Sequence, residues 1–209
     1  MMAFGSDDDG DATSGPVTGQ VQLDSYADAG VFAATGLVNE LALAGAGDLS
    51  TDATLAAIAR ILAVDPPSVA RLRRSDVAGF TALAHRLHEV FGSLRDGDID
   101  AAATRLNELL AEHPAPPYLA VEHGRWRLHH HPVDARLVPM WTSICAEGVA
   151  RLITSDDAHR LGTCEDPGCG RVFVDVTRNA SRRFCSTTCQ NRVKAAAFRR
   201  RRAPRARDS

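Results

Sequence analysis

A chain of 209 residues with 44% hydrophobic content can bury one good core, and its length allows one or two domains. No run approaches the ~18 consecutive apolar residues of a membrane span, and the start MMAFGSDDDGDATSG lacks the basic and apolar parts of a secretory signal, so no membrane partner is expected and the location is expected to be cytoplasmic. The formal net charge of −2 conceals an asymmetry: residues 1–159 hold 11 arginines against 22 acidic side chains, whereas 160–209 hold 13 basic against 4 acidic, which suggests a polyanion, most simply nucleic acid, as partner of the C-terminal part.

In chain order, residues 1–19 are rich in Gly, Asp, Ser and Thr and read as a disordered leader. Ser25 and Asp28 have the spacing of a capping box before a helix that aligns Val31, Ala34, Val38 and Leu41 and stops at the glycines of AGAGD. A second helix from about Asp52 uses Leu55, Ile58 and Leu62 before Asp65, Pro66 and Pro67 break it. The clearest periodicity follows, with Val77, Phe80, Leu83, Leu87, Val90, Phe91 and Leu94 on one face and Ser75 or Asp76 available to cap the start. A helix from about 99 to 112 buries Ala102, Leu106, Leu109 and Leu110, and three prolines end it. The period then changes to two around a turn at His123 and Gly124, predicting a β-hairpin that carries Trp126 and Leu128. A last long helix, about 134–153, aligns Leu137, Met140, Trp141, Ile144, Cys145, Val149 and Leu152. The predicted fold is mainly α (α+β): a helical domain at 20–155 with a small hairpin, then a small cysteine-bearing unit at 160–203 and a tail at 204–209.

Cys164, Cys169, Cys185 and Cys189 form a C-x4-C and a C-x3-C pair separated by fifteen residues. Four thiolates in two close pairs are what tetrahedral Zn²⁺ takes, and in a reducing compartment such a cluster favours a metal over disulfides. One structural zinc is expected, because four protein ligands leave no open position for a reacting water. Residues 171–175 read as a strand, 177–181 as a turn and Arg182, Arg183 and Phe184 as a return strand, with Ser186 and Thr187 opening the helix that carries Cys189.

The segment from Cys164 to Lys194, with its FVD strand, RN-x-SRR turn and C-x-NR-x-K ending, resembles the CGNR zinc finger, a treble-clef-like module of bacterial proteins associated with DNA-binding regulation. It departs from that motif at Gln190, where glycine is usual, and at Phe184, where tryptophan is usual. Upstream, Leu37, Val38 and Asn39, the run from Arg86 to Leu94, Leu106 to Leu110, and the hairpin with Trp126 are similar to the ABATE domain, described as a predicted stress-linked regulatory module. The resemblance implies a zinc-dependent transcriptional regulator whose helical domain senses a small-molecule ligand or mediates assembly.

The basic residues fit that expectation. Arg178, Arg182 and Arg183 precede the second cysteine pair, and Arg192, Lys194, Arg199, Arg200, Arg201 and Arg202 follow it, so all nine are candidate contacts to nucleic acid, with double-stranded DNA favoured. Four consecutive arginines point in every direction around a helix and cannot be packing a core. A protein-interaction module with a structural zinc finger and an RNA-binding protein are the alternative readings, and the limited surface of one finger on DNA argues for a homodimer. His129 and His131 alternate on a strand with no carboxylate or cysteine at a convincing metal-ligand spacing, and no P-loop, nucleophile elbow or paired-carboxylate signature is present, so no catalytic residue and no enzymatic activity are expected.

Overall fold

The longest apolar stripes in the sequence become the centre of the structure. In the computed structural model, which describes residues 25–43, 50–114, 116, 118–122, 124–129 and 136–202, α1 (Ser25–Leu37) packs along α6 (Leu137–Ile153). A Cβ on Gly30 would sit 2.3 Å from the Ile144 carbonyl oxygen and 3.3 Å from Cα of Gly148, so the two backbones touch where neither helix has a side chain. Around this pair pack α2 (Thr51–Ile61), α4 (Val77–Arg95) and α5 (Ile99–Glu112). Phe80, Leu87, Val90, Leu106, Leu109, Trp141 and Val149 lie in their shared core, as their helical spacing predicts. Leu55 and Leu110 are only half-buried, at the edge of the stripes to which they belong. Cys145 is fully buried among them, and burial pushes its thiol pKa well up, which leaves it an inert small hydrophobe.

Several local details differ from the sequence reading. Pro66 and Pro67 do not merely break a helix. They open α3 (Pro66–Arg71), because a proline in the first turn lacks only an N–H that would have no helical partner. This short helix carries Ser68, fully buried, whose hydroxyl accepts the indole N–H of Trp141 at 2.9 Å. Asp76 does not cap α4. Residues Arg74–Asp76 form a 3-10 turn, and the Asp76 carboxylate accepts the Arg73 amide at 2.8 Å instead. Two caps that the sequence reading passed over are Ser50, whose hydroxyl accepts the Ala53 amide at 3.2 Å at the start of α2, and Asp98, which accepts the Ala101 amide at 2.9 Å at the start of α5.

The hairpin stands where its period predicts, β1 (Tyr118–Glu122) antiparallel to β2 (Arg125–His129), with Gly124 at φ 77 in the turn. A second antiparallel pair, β3 (Leu161–Thr163) and β4 (Val172–Val174), lies in the C-terminal region ahead of α7 (Thr187–Arg202). The partner of β4 is therefore Leu161–Thr163, not the predicted return strand at 182–184, which is irregular. The architecture is mainly helical with small antiparallel sheets, and among the described residues no helix is long and apolar enough to cross a membrane. The predicted leader at 1–19, the AGAGD stop, the capping-box side chains of Ser25 and Asp28, the histidines at 130 and 131 and the tail at 204–209 lie outside the described residues.

All three residues of β4 are buried, because each face of the strand has its own cover. Val172 and Val174 belong to the same apolar core as the helices, while the Phe173 ring lies under the Arg182 guanidinium, 4.7 Å from its centroid. The strand is thus shared by the helical body and the cysteine-bearing segment.

Candidate metal centre

Two elements bring the cysteines together. The first pair sits in the turn between β3 and β4, where the Cys164 amide bonds the Arg171 carbonyl at 2.8 Å and the Cys169 amide bonds the Asp166 carbonyl at 2.9 Å. The second pair brackets the start of α7, where the Ser186 hydroxyl accepts the Cys189 amide at 3.3 Å, as the position of Ser186 before the helix predicts. The four sulfurs lie within 4.8 Å of one another. Three of the separations, Cys169 to Cys185 at 3.5 Å, Cys185 to Cys189 at 3.6 Å and Cys189 to Cys169 at 3.6 Å, approach the edge of about 3.8 Å that a tetrahedron with Zn–S bonds near 2.3 Å requires. The donor set therefore fits a four-coordinate metal ion.

Neighbouring groups tune the sulfurs. Cys185 donates its amide N–H to the Cys164 sulfur at 3.4 Å, and this bond, with the Asp166 amide, outweighs burial and holds the Cys164 pKa below its ordinary value. Burial and the three adjacent thiols push Cys185 up to about 12, and burial with the Cys189 and Cys164 sulfurs raises Cys169 against the lowering by the Arg171 amide and Cys185. Four thiols this close cannot all ionise without a cation among them, so metal binding must expel protons and strengthen with rising pH.

A layer of carboxylates and arginines surrounds the sulfurs. Asp166, 4% exposed, accepts the Gly168 amide at 3.2 Å and the Arg192 Nε at 2.5 Å. Burial raises the carboxyl pKa, but these partners win and leave it below the usual range. The Arg192 guanidinium also reaches the Cys189 sulfur at 3.4 Å. Arg183 forms a forked pair with Glu165, its Nε 2.7 Å from Oε1. Arg182 donates to the carbonyls of Phe184, at 2.9 Å, and Cys185, clamping the strand-like segment that leads into the second cysteine pair.

The nine basic candidates thus divide into two groups. Arg182, Arg183 and Arg192 are engaged in holding the centre together. Arg178, Lys194, Arg199, Arg200, Arg201 and Arg202 are exposed and make no ion pair among the described residues, with Arg202 stacked 4.9 Å over the Phe198 ring. Charge pattern alone could not separate the groups, because the carboxylates Glu165 and Asp166 lie 18 and 26 residues from their arginine partners.

Compared with known families, residues 160–202 match the CGNR zinc finger. This segment is a CGNR zinc finger. The comparison with curated proteins finds no match to the chain.

Sequence reading missed how the CGNR finger is fastened to the helices. After α1 the chain widens into a π-helical turn, Val38–Ala42, where the Leu43 amide reaches back to the Val38 carbonyl at 3.1 Å. Asn39 in this turn donates its side-chain amide to the Val172 carbonyl at 2.8 Å and accepts the Val172 N–H at 2.9 Å, so a side chain completes the free edge of β4. Next to it Glu40 pairs with Arg171 at 2.5 Å and with Arg60 at 3.4 Å. Between this turn and the metal centre lies an open crevice of about 620 Å³, lined by Glu40, Leu43, Arg171, Cys169, Cys185 and Arg192 among others. The resemblance upstream includes Asn39, but no local signal gives its contact with β4, since that partner lies 133 residues away.

Proposed function

We propose that the protein is a zinc-dependent DNA-binding transcriptional regulator, not an enzyme: one structural zinc on Cys164, Cys169, Cys185 and Cys189 rigidifies the CGNR finger, and α7 presents its cations to duplex DNA. The observation that carries this reading is the state of α7, in which Cys189 is buried and Lys194, Arg199, Arg200, Arg201 and Arg202 are exposed and make no ion pair among the described residues. Guanidinium forks suit phosphate oxygens, and a helix held at one end by a metal site is preset for docking without the entropic cost of ordering the turn it grows from. The filled thiolate set, with no position left for water, favours a structural over a catalytic metal. The helical body, which shares β4 with the finger, serves as the sensing or assembly part, for a small ligand or a second copy of the chain.

The test is fluorescence anisotropy of the zinc-loaded chain on labelled duplex DNA across a salt series. Six cations without an ion pair among the described residues, Arg178 included, give an expected slope of log affinity against log salt near −5. Replacing the four arginines at 199–202 by glutamine should cut affinity at least tenfold and flatten the slope, and chelation should abolish binding. Absence of binding at low salt would sink the proposal and favour a protein-interaction module.

A further inference from the structure

Helix α7 has 16 residues and is about 24 Å long, enough to cross a major groove about 12 Å wide. Its inner stripe consists of Cys189, buried, and Val193, Ala196 and Ala197, half-buried. On the opposite side, at spacings of three and four, Asn191, Lys194, Ala195 and Phe198 are all exposed. Arg199 and Arg201 fall to either side of that outer stripe at 100° per residue. Arg192 is engaged with Asp166 and the Cys189 sulfur and cannot also fork onto a guanine. The side chain of its neighbour Asn191 makes no hydrogen bond among the described residues.

We propose that the outer stripe of α7 is a base-reading surface: Asn191 pairs bidentately with an adenine in the major groove, Phe198 packs on a thymine methyl, and Arg199 and Arg201 hold the flanking phosphates. This rests on the DNA-binding reading above and adds the residues that give it sequence preference. The chemistry is specific. An asparagine amide offers one donor and one acceptor in the spacing of adenine N6 and N7, a pattern that no other base pair presents in that groove. Ala195 between them lets the helix backbone approach the base edges closely. Phe198 is 51% exposed on a helix otherwise rich in cations, and Arg202 stacks over its ring and steadies it. Seven residues separate Asn191 from Phe198, about 10.5 Å along the axis, so the adenine and the thymine fall within about three base pairs of one another.

The experiment uses the full zinc-loaded chain. Duplexes are selected from a randomised library, and anisotropy then compares the selected duplex with a shuffled one for the native protein, N191A, F198A and the R199Q/R201Q double variant, each checked for unchanged zinc content. The expected selection is a short motif with one invariant adenine and a thymine within three positions. N191A should reduce discrimination at that adenine by roughly 5- to 150-fold, and F198A should relax the thymine alone. R199Q/R201Q should weaken the selected and shuffled duplexes alike and flatten the salt slope. Salt-dependent binding without any enriched sequence, or N191A with full discrimination, would overturn this inference while leaving the DNA-binding reading intact. No binding to any duplex would overturn both.

Discussion

Asp175 organises the loop between β4 and the second cysteine pair. Its carboxylate, 2% exposed, accepts the Thr177 amide at 2.8 Å, the Thr177 hydroxyl at 2.6 Å and the Arg182 amide at 2.6 Å. Burial alone would raise its pKa, but these donors, helped by Arg160, hold it below the ordinary carboxylate range. A lowered folded-state pKa means that the contribution to stability is complete above the unfolded value near 4 and drains away as pH falls through the lowered value. D175N, which replaces an acceptor by a donor against two amides, should therefore destabilise the zinc-loaded chain by about 1–3 kcal/mol at pH 7. In urea titrations at several pH values the gap between the native chain and D175N should be level from pH 8 to about 5 and close below about 4. A gap that already closes near pH 6 would contradict this account. Asp175 was legible in the sequence as the end of a strand, but not as the centre of a turn, because its importance comes from burial and not from its residue type.

At the scale of elements, the contact of α1 with α6 depends on two glycines that face each other, Gly30 and Gly148. Both sit inside apolar helical stripes, where glycine costs roughly 1 kcal/mol against alanine in intrinsic propensity. G30A should nonetheless destabilise, because its methyl group would meet the Ile144 carbonyl oxygen at 2.3 Å, and backbone cannot rotate away as a side chain can. A loss of about 1–3 kcal/mol is expected, read as a lower denaturant midpoint at unchanged slope. A gain in stability would show that the helices can separate without cost. Periodicity located these helices well, since the stripes at Val77 to Leu94 and Leu137 to Leu152 have no plausible alternative period. It mispaired β4, because three-residue strands carry almost no periodic signal and the Leu161–Thr163 partner lies on the far side of a metal-binding turn.

For the molecule as a whole, β4 ties the metal centre to the helical core. Val172 and Val174 lie in that core, and Asn39 and Glu40 of the π-helical turn grip Val172 and Arg171. Zinc removal should therefore destabilise the helices as well as the finger. If loss of the metal costs about 3 kcal/mol of global stability, the melting temperature of a chain of this size drops by roughly 6–12 °C. Calorimetry with and without a chelator should show one main transition that moves down. An upper transition indifferent to the chelator would mean that the helical part folds without support from the finger.

The sequence by itself determined the cysteine cluster, the helical stripes, the hairpin turn at Gly124 and the basic character of α7, because each is set by residue type at short, regular spacing. Tertiary structure alone decided which arginines have no ion pair among the described residues. Arg182, Arg183 and Arg192 look identical in composition to Arg199 and Arg201, yet their charges are engaged by carbonyls and carboxylates that folding brings near. Likewise Asn39 becomes the link between helices and finger only when a π-helical turn aims it at a strand 133 residues on. Long-range partnership is a property of the packed chain, since no spacing rule connects residues that loop closure and core burial bring together.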